Sequence, residues 1–116
     1  MSHLVFVYGT LKRGFSNHHI LKDAEFLGSG ETTESVFTMY HLGGFPGVVL
    51  GGNSDIKGEL YSVDEATLQH CDWLEGHPNF YKRLPVEVKV GSEFITAWMY
   101  IYQHNTGDRE VLEEWK

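Results

Sequence analysis

Two short segments carry residue types that could do chemistry: Val7-Tyr8-Gly9-Thr10-Leu11 and Asp72-Trp73-Leu74-Glu75-Gly76. In the first, a glycine follows an apolar, β-forming run. A backbone without a Cβ can approach a ligand there and turn its N–H groups outward as an anion or oxyanion cradle. A plain turn explains the same glycine. In the second, Glu75 closes a helical pattern. The negative end of the helix dipole and the like charge of Asp72, three residues earlier, both oppose its ionisation. Such terms raise a carboxyl pKa, which suits a group that takes a proton and later returns it. A solvated surface glutamate feels the same terms weakly, so that reading stays open.

Other site types fail on spacing. The seven histidines are scattered, with only His18 and His19 adjacent, and neither H-E-x-x-H nor C-x-x-C occurs. No metal site is expected. Gly9-Thr10-Leu11-Lys12-Arg13-Gly14 spaces its glycines as a phosphate loop does, but Phe15-Ser16 replaces the required lysine and hydroxyl pair. Cys71 shares a helical face with Leu68 and Leu74, where a thiol acts as a small hydrophobe. No Gly-x-Ser-x-Gly elbow supports a serine triad. No cofactor is called for.

Both segments must be positioned by one small fold. The 116 residues make one domain spanning 1–116, and a composition of 41% hydrophobic and 22% charged residues is ordinary for a globular chain. A chain of this size buries an adequate core alone, so a monomer is expected. The net charge of −7 disfavours nucleic acid and anionic membrane as partners. A single cysteine fits a reducing compartment, and neither a leader peptide nor an 18-residue apolar run is visible, so a cytoplasmic location is expected.

The apolar run 4–8 reads as a buried strand. Ser16 can cap a two-turn helix over 17–23, which Gly28 and Gly30 end. Residues 36–41 and 48–50 read as strands around the bend Gly43-Gly44-Phe45-Pro46-Gly47, and 56–63 alternates as another. From Asp64, an N-cap, the period turns helical through Leu68, Cys71 and Leu74 until Gly76. Residues 81–90 and 93–102 alternate around Gly91-Ser92 as a hairpin. Residues 108–115 read as a short helix with Val111, Leu112 and Trp115 on one side. The class is α+β: a mostly antiparallel sheet, curled into a small barrel, with short flanking helices.

The sequence resembles the gamma-glutamylcyclotransferase-like family, and within it the gamma-glutamylamine cyclotransferase branch. The resemblance rests on Val5-Phe6-Val7-Tyr8-Gly9-Thr10-Leu11-Lys12-Arg13-Gly14 with Asn17-His18, on Gly58-Glu59-Leu60-Tyr61-Ser62-Val63-Asp64, and on Leu68 through Glu75-Gly76 followed by Tyr81-Lys82-Arg83. It implies a β-barrel in which Tyr8, Gly9, Thr10 and Leu11 hold a glutamyl group and Glu75 is the acid/base. It also implies a reaction: the substrate's own α-amine closes on the side-chain carbonyl, releasing 5-oxoproline and a free amine, without metal or cofactor. The loop N–H groups serve either the α-carboxylate or the oxyanion.

Tyr81 is expected to touch ligand, Arg83 to make an ion pair, and His77 either to tune Glu75 or to face solvent. Trp98, Tyr100 and Tyr102 are expected as aromatic wall packing. The leaving-group side is expected from loops 43–47, 51–55 and 103–107. Two other readings remain: a metabolite-binding module without catalysis, and action on gamma-glutamyl peptides or a gamma-glutamylated biosynthetic intermediate.

Overall fold

A computed structural model describes residues 2–116. The elements run β1 (His3–Val7), a 3-10 helix (His18–Leu21), β2 (Glu25–Thr32), β3 (Phe37–His41), β4 (Pro46–Leu50), β5 (Lys57–Val63), α1 (Glu65–Glu75), β6 (Tyr81–Val90), β7 (Glu93–Tyr102) and β8 (Val111–Leu112). Among the described residues, β1, β5, β2, β6 and β7 close into a barrel in that order, and β4, β3 and β8 form a second sheet. Every pairing is antiparallel except β1 with β7, where Val5 meets Trp98 and closes the barrel.

β1 explains itself by being buried on both sides. Val5 and Val7 pack with Leu68 and Cys71 of α1, while Phe6 faces Leu60, Val88 and Met99. A strand covered on both faces reads as a continuous apolar run. β7 is divided the same way: Ala97, Met99 and Ile101 join the cluster around Phe6, and Trp98, Tyr100 and Tyr102 join the α1 side.

α1 follows its sequence signals closely. Asp64 accepts from the Thr67 N–H at 2.7 Å, and Gly76 ends the helix in the left-handed region at φ 64°. That is the N-cap and glycine C-cap pairing expected of a well-bounded helix. The β6–β7 hairpin likewise turns at Gly91, with Val90 opposite Glu93.

Three local expectations are overturned. Gly28 and Gly30 do not end a helix; they lie inside β2, whose register shifts between Phe26 and Gly28. A Cβ on Gly28 would stand 2.6 Å from Val90 Cγ1, and one on Gly30 would meet the Lys89 carbonyl oxygen. The glycines are there because β6 passes so close. The helix after Ser16 shrinks to the 3-10 turn His18–Leu21, and neither Ser16 nor the cap residue Asn17 caps it with a side chain. The terminal segment is not helical: β8 pairs with β3 through Met39 and Leu112, and the His41 N–H donates to the Glu110 carbonyl at 2.8 Å. An open strand edge offers those bonds to a segment too short to nucleate a helix alone. No helix of the described residues is long and apolar enough to cross a membrane.

Candidate active site

The end of β1 feeds a loop tied at many points. The Lys12 N–H donates to the Gly9 carbonyl at 3.0 Å and the Phe15 N–H to Lys12 at 3.1 Å. Asn17 grips Thr10 twice, N–H to carbonyl and side-chain amide to hydroxyl, each at 2.9 Å. Lys12 is 6% exposed, and its ammonium donates to the Trp115 carbonyl at 2.6 Å, so the terminal segment clasps the loop from behind. Within this frame the N–H groups of Gly9, Thr10 and Leu11 meet no protein acceptor among the described residues. Gly9 has a packing reason of its own: a Cβ there would stand 2.8 Å from the Pro46 ring.

The loop, the last turn of α1, the start of β6 and the β3–β4 turn surround a cavity of about 240 Å³. Pockets for drug-sized ligands run to roughly 300–1,000 Å³, so this one suits an amino-acid-sized group. Tyr8, Gly9, Thr10, Leu11, Glu75 and Tyr81 all line it. The six residues singled out from sequence therefore meet in one place. Two of them bond through their hydroxyls within the fold. The Tyr8 hydroxyl donates to the Tyr100 carbonyl at 2.7 Å and accepts from the Val48 N–H at 3.2 Å; the Tyr81 hydroxyl donates to the Pro46 carbonyl at 2.6 Å. Both hydroxyls thus donate to backbone carbonyls within the fold. Burial pushes both well above the usual tyrosine range, with the Glu75 charge among the further causes.

Glu75 is the charged side chain of the lining. Burial pushes its carboxyl up to about 7. Burial, rather than the charge of Asp72, carries this shift. Asp72 is neutralised locally: it accepts from Arg83 Nε at 2.8 Å, from Arg83 Nη2 at 3.2 Å and from the Tyr100 hydroxyl at 2.7 Å. Glu75 accepts no hydrogen bond from any described residue, and no buried side-chain oxygen is both sealed off and unpartnered. Its carboxyl is therefore reachable from the cavity.

Arg83 is the ion-pair partner expected, and its guanidinium also lies 4.4 Å from the Trp98 ring centre. His77 makes no hydrogen bond to Glu75; its Nδ1 accepts from the Arg83 N–H at 3.2 Å, at the start of β6. Cys71 is fully buried, and burial, then Glu75 and Asp72, push its thiol up to about 12, which removes it as a nucleophile. Among the described residues no group of three His, Cys, Asp or Glu side chains is placed to hold a metal.

Sequence reasoning missed Tyr100, Phe80, Leu74 and Asn17, which also line the cavity. Tyr100 was assigned to wall packing because it alternates with Trp98 and Tyr102; nothing in that period marks which ring reaches a cavity. Of the three loops expected on the leaving-group side, 43–47 supplies Gly44, Phe45 and Pro46, and loops 51–55 and 103–107 supply no lining residue.

The family model for gamma-glutamyl cyclotransferases, AIG2-like, matches residues 5–116. The chain belongs to this family. A provisionally named gamma-glutamylcyclotransferase of Vibrio cholerae is 48% identical over 103 residues, covering 89% of this chain and 84% of the relative. The gamma-glutamylcyclotransferase family protein YtfP of Escherichia coli is 35% identical, covering 94% and 90%. The crystal structure of an AIG2-like protein of Mus musculus superposes with a TM-score of 0.89 at 30% identity, over 99% of this chain and 88% of that one. The barrel, the second sheet and α1 are thus the gamma-glutamylcyclotransferase fold.

Proposed function

We propose that this gamma-glutamylcyclotransferase family member cyclises a gamma-glutamyl amine, with Glu75 as base and then acid. The observation that carries the reading is the lone Glu75 carboxyl, raised to about 7, in a cavity it shares with the unpaired N–H groups of residues 9–11. An α-ammonium has a pKa of about 8, so an ordinary glutamate is a poor acceptor for its proton, whereas a carboxyl near 7 is nearly matched.

Glu75 takes a proton from the substrate's α-ammonium. The freed amine attacks the γ-carbonyl carbon to form the five-membered ring, and the negative charge moves to the carbonyl oxygen. As the tetrahedral intermediate collapses, Glu75 returns its proton to the leaving nitrogen and the bond to that nitrogen breaks. The ring nitrogen, which still carries two protons, gives its second one to the regenerated Glu75 carboxylate, from which it passes to the departing amine. The products are 5-oxoproline and a free amine. Holding amine and carbonyl together supplies an intramolecular advantage, so no enzyme nucleophile is needed. The N–H groups of Gly9, Thr10 and Leu11 supply donors for the α-carboxylate or the oxyanion, while Tyr8 and Tyr81 contribute ring surface.

The test is 5-oxoproline release from gamma-glutamyl amines, gamma-glutamyl dipeptides and glutathione by the wild-type chain and by Glu75→Gln, with circular dichroism to check folding. Release that depends on Glu75 is expected, and kcat/KM should rise with pH through about 7 as Glu75 loses its proton. Full turnover by Glu75→Gln would remove the mechanism. No release by a folded wild-type protein would leave a metabolite-binding module.

A further inference from the structure

The loop after β1 is fastened by three side chains that reach to different parts of the molecule. Asn17 binds Thr10 within the loop. Glu59 of β5 accepts from the Arg13 N–H at 2.9 Å and anchors the loop to the barrel. Lys12 reaches the terminal segment, through the Trp115 carbonyl at 2.6 Å. We propose that Lys12 is a positioning residue for the cyclisation: its bond to Trp115 aims the N–H groups of residues 9–11 at the anionic part of the substrate.

This rests on the reaction proposed above, in which those N–H groups meet the α-carboxylate or the oxyanion. The lining holds no lysine, arginine or histidine. His104 stacks on a lining ring, Phe80, at 5.7 Å between centres, but does not itself line the cavity. Negative charge on the substrate is therefore met at the lining by dipoles rather than by a cation. An N–H donor, unlike a full charge, loses its attraction steeply when its angle is wrong. The aim of the loop then matters as much as its presence.

Lys12 is placed to set that aim. Its N–H donates to the Gly9 carbonyl and its own carbonyl accepts from Phe15, so its backbone closes the turn that carries the three N–H groups. Its side chain is buried and does not line the cavity. An apolar side chain would fill that space without the cost of burying an ammonium. The Trp115 carbonyl offsets this cost, with the Phe15 ring centre 5.2 Å from Nζ and the Glu114 carboxylate farther than a hydrogen bond, at 3.9 Å. The far end of the clasp is fixed as well. The Trp115 ring lies 5.4 Å from that of His41 in β3, and Leu112 pairs with Met39 of the same strand. β3 leads into the turn whose Gly44, Phe45 and Pro46 form another part of the lining. The clasp thus ties two walls of one cavity together, and misplacement of reacting groups by about 1 Å costs on the order of 10²-fold in rate.

The experiment measures 5-oxoproline release from gamma-glutamyl methylamide and gamma-glutamyl benzylamide by wild type, Lys12→Met, Trp115→Ala and Val88→Ala. Rates are expressed per folded molecule, with the folded fraction taken from urea titrations. Val88 is buried in the barrel and does not line the cavity, so its variant reports what lost stability alone does. Lys12→Met should lower kcat/KM about tenfold, by the same factor for both substrates, because the loop serves the glutamyl part they share. Trp115→Ala, which frees the clasp from its other end, should lower it about threefold and move the amide resonances of Gly9, Thr10 and Leu11, 103 or more positions away in the chain. Val88→Ala should stay within twofold of wild type and leave those resonances in place. Should Lys12→Met fail to fold, Trp115→Ala decides. Clasp variants within twofold of wild type, or a Val88→Ala that loses as much as they do, overturn the role of Lys12 while Glu75-dependent release keeps the cyclisation. No release by folded wild type removes both.

Discussion

Asp72 and Glu75 stand three residues apart in the last turn of one helix, carry the same functional group, and live in opposite surroundings. Asp72 receives three donor contacts, two from Arg83 and one from Tyr100. Glu75 receives none from the described residues and is pushed up to about 7 by burial. The helix fixes both with equal rigidity, so the division of labour comes from what the barrel brings to each. β6 and β7 deliver a cation and a phenol to one carboxylate; the loop after β1 shares the cavity lining with the other. Two carboxyl groups on one helix turn are thus given unlike surroundings, one paired and one left without a donor.

Removing the isolated member of the pair should have the largest effect. Glu75→Gln should lower kcat for gamma-glutamyl amines by about 10²–10⁴-fold, the range for loss of a positioned acid/base. The same substitution sharpens the comparison without any substrate. Because the folded-state pKa of Glu75 is raised from 4.5 to about 7, its contribution to stability is fully present below pH 4.5 and lost as pH rises through 7. At 1.36 kcal/mol per pKa unit the loss is at most about 3 kcal/mol. Glu75→Gln should therefore gain on wild type between pH 5 and pH 8 in urea titrations, and parallel curves would show that Glu75 is not desolvated.

Breaking the paired member should act on the fold instead. The side chains of Asp72 and Arg83 are 19% and 20% exposed. Asp72→Asn strands a half-buried cation and should cost about 1–3 kcal/mol, less than for a fully buried pair. Thermal unfolding reads this directly, and an unchanged Tm would mean that the pair contributes nothing. The smallest effect belongs to Tyr100→Phe, which removes one donor from Asp72 and should cost about 1 kcal/mol. The pH at which Glu75 titrates should hold in that variant; a large move would tie the two carboxylates together.

How much of this was legible in the sequence depends on whether a residue's role is local. Asp64, Gly76 and Gly91 announce their caps and turn because capping and left-handed backbone are decided within a few residues. β2 was hidden because its glycines answer to Val90 and Lys89, some sixty positions away in the chain. The helix read over 108–115 gave way to β8 because the edge of β3 was open to it. Residues 8–11, Glu75 and Tyr81 are singled out through a resemblance that rests on contiguous motifs, and the fold brings them to one cavity. Periodicity alone places Glu75 at a helix end and gives the direction of its shift, but not the burial that carries it. Burial by a folded cavity is not written in the neighbours of a residue.

The Lys12 clasp has a consequence for the order in which the molecule can be completed. Its ammonium binds the carbonyl of Trp115, 103 positions later in the chain. On the ribosome the loop that ends in Lys12 emerges long before its last anchor does. β1 also waits, since Val5 closes the barrel only against Trp98. The cavity thus belongs to the late stage of folding: a nascent chain holding every cavity-lining residue up to Tyr100 still lacks the clasp behind its first loop. Contacts of such long range slow folding through loop-closure entropy, and here they also defer the finished site until Trp115 has emerged.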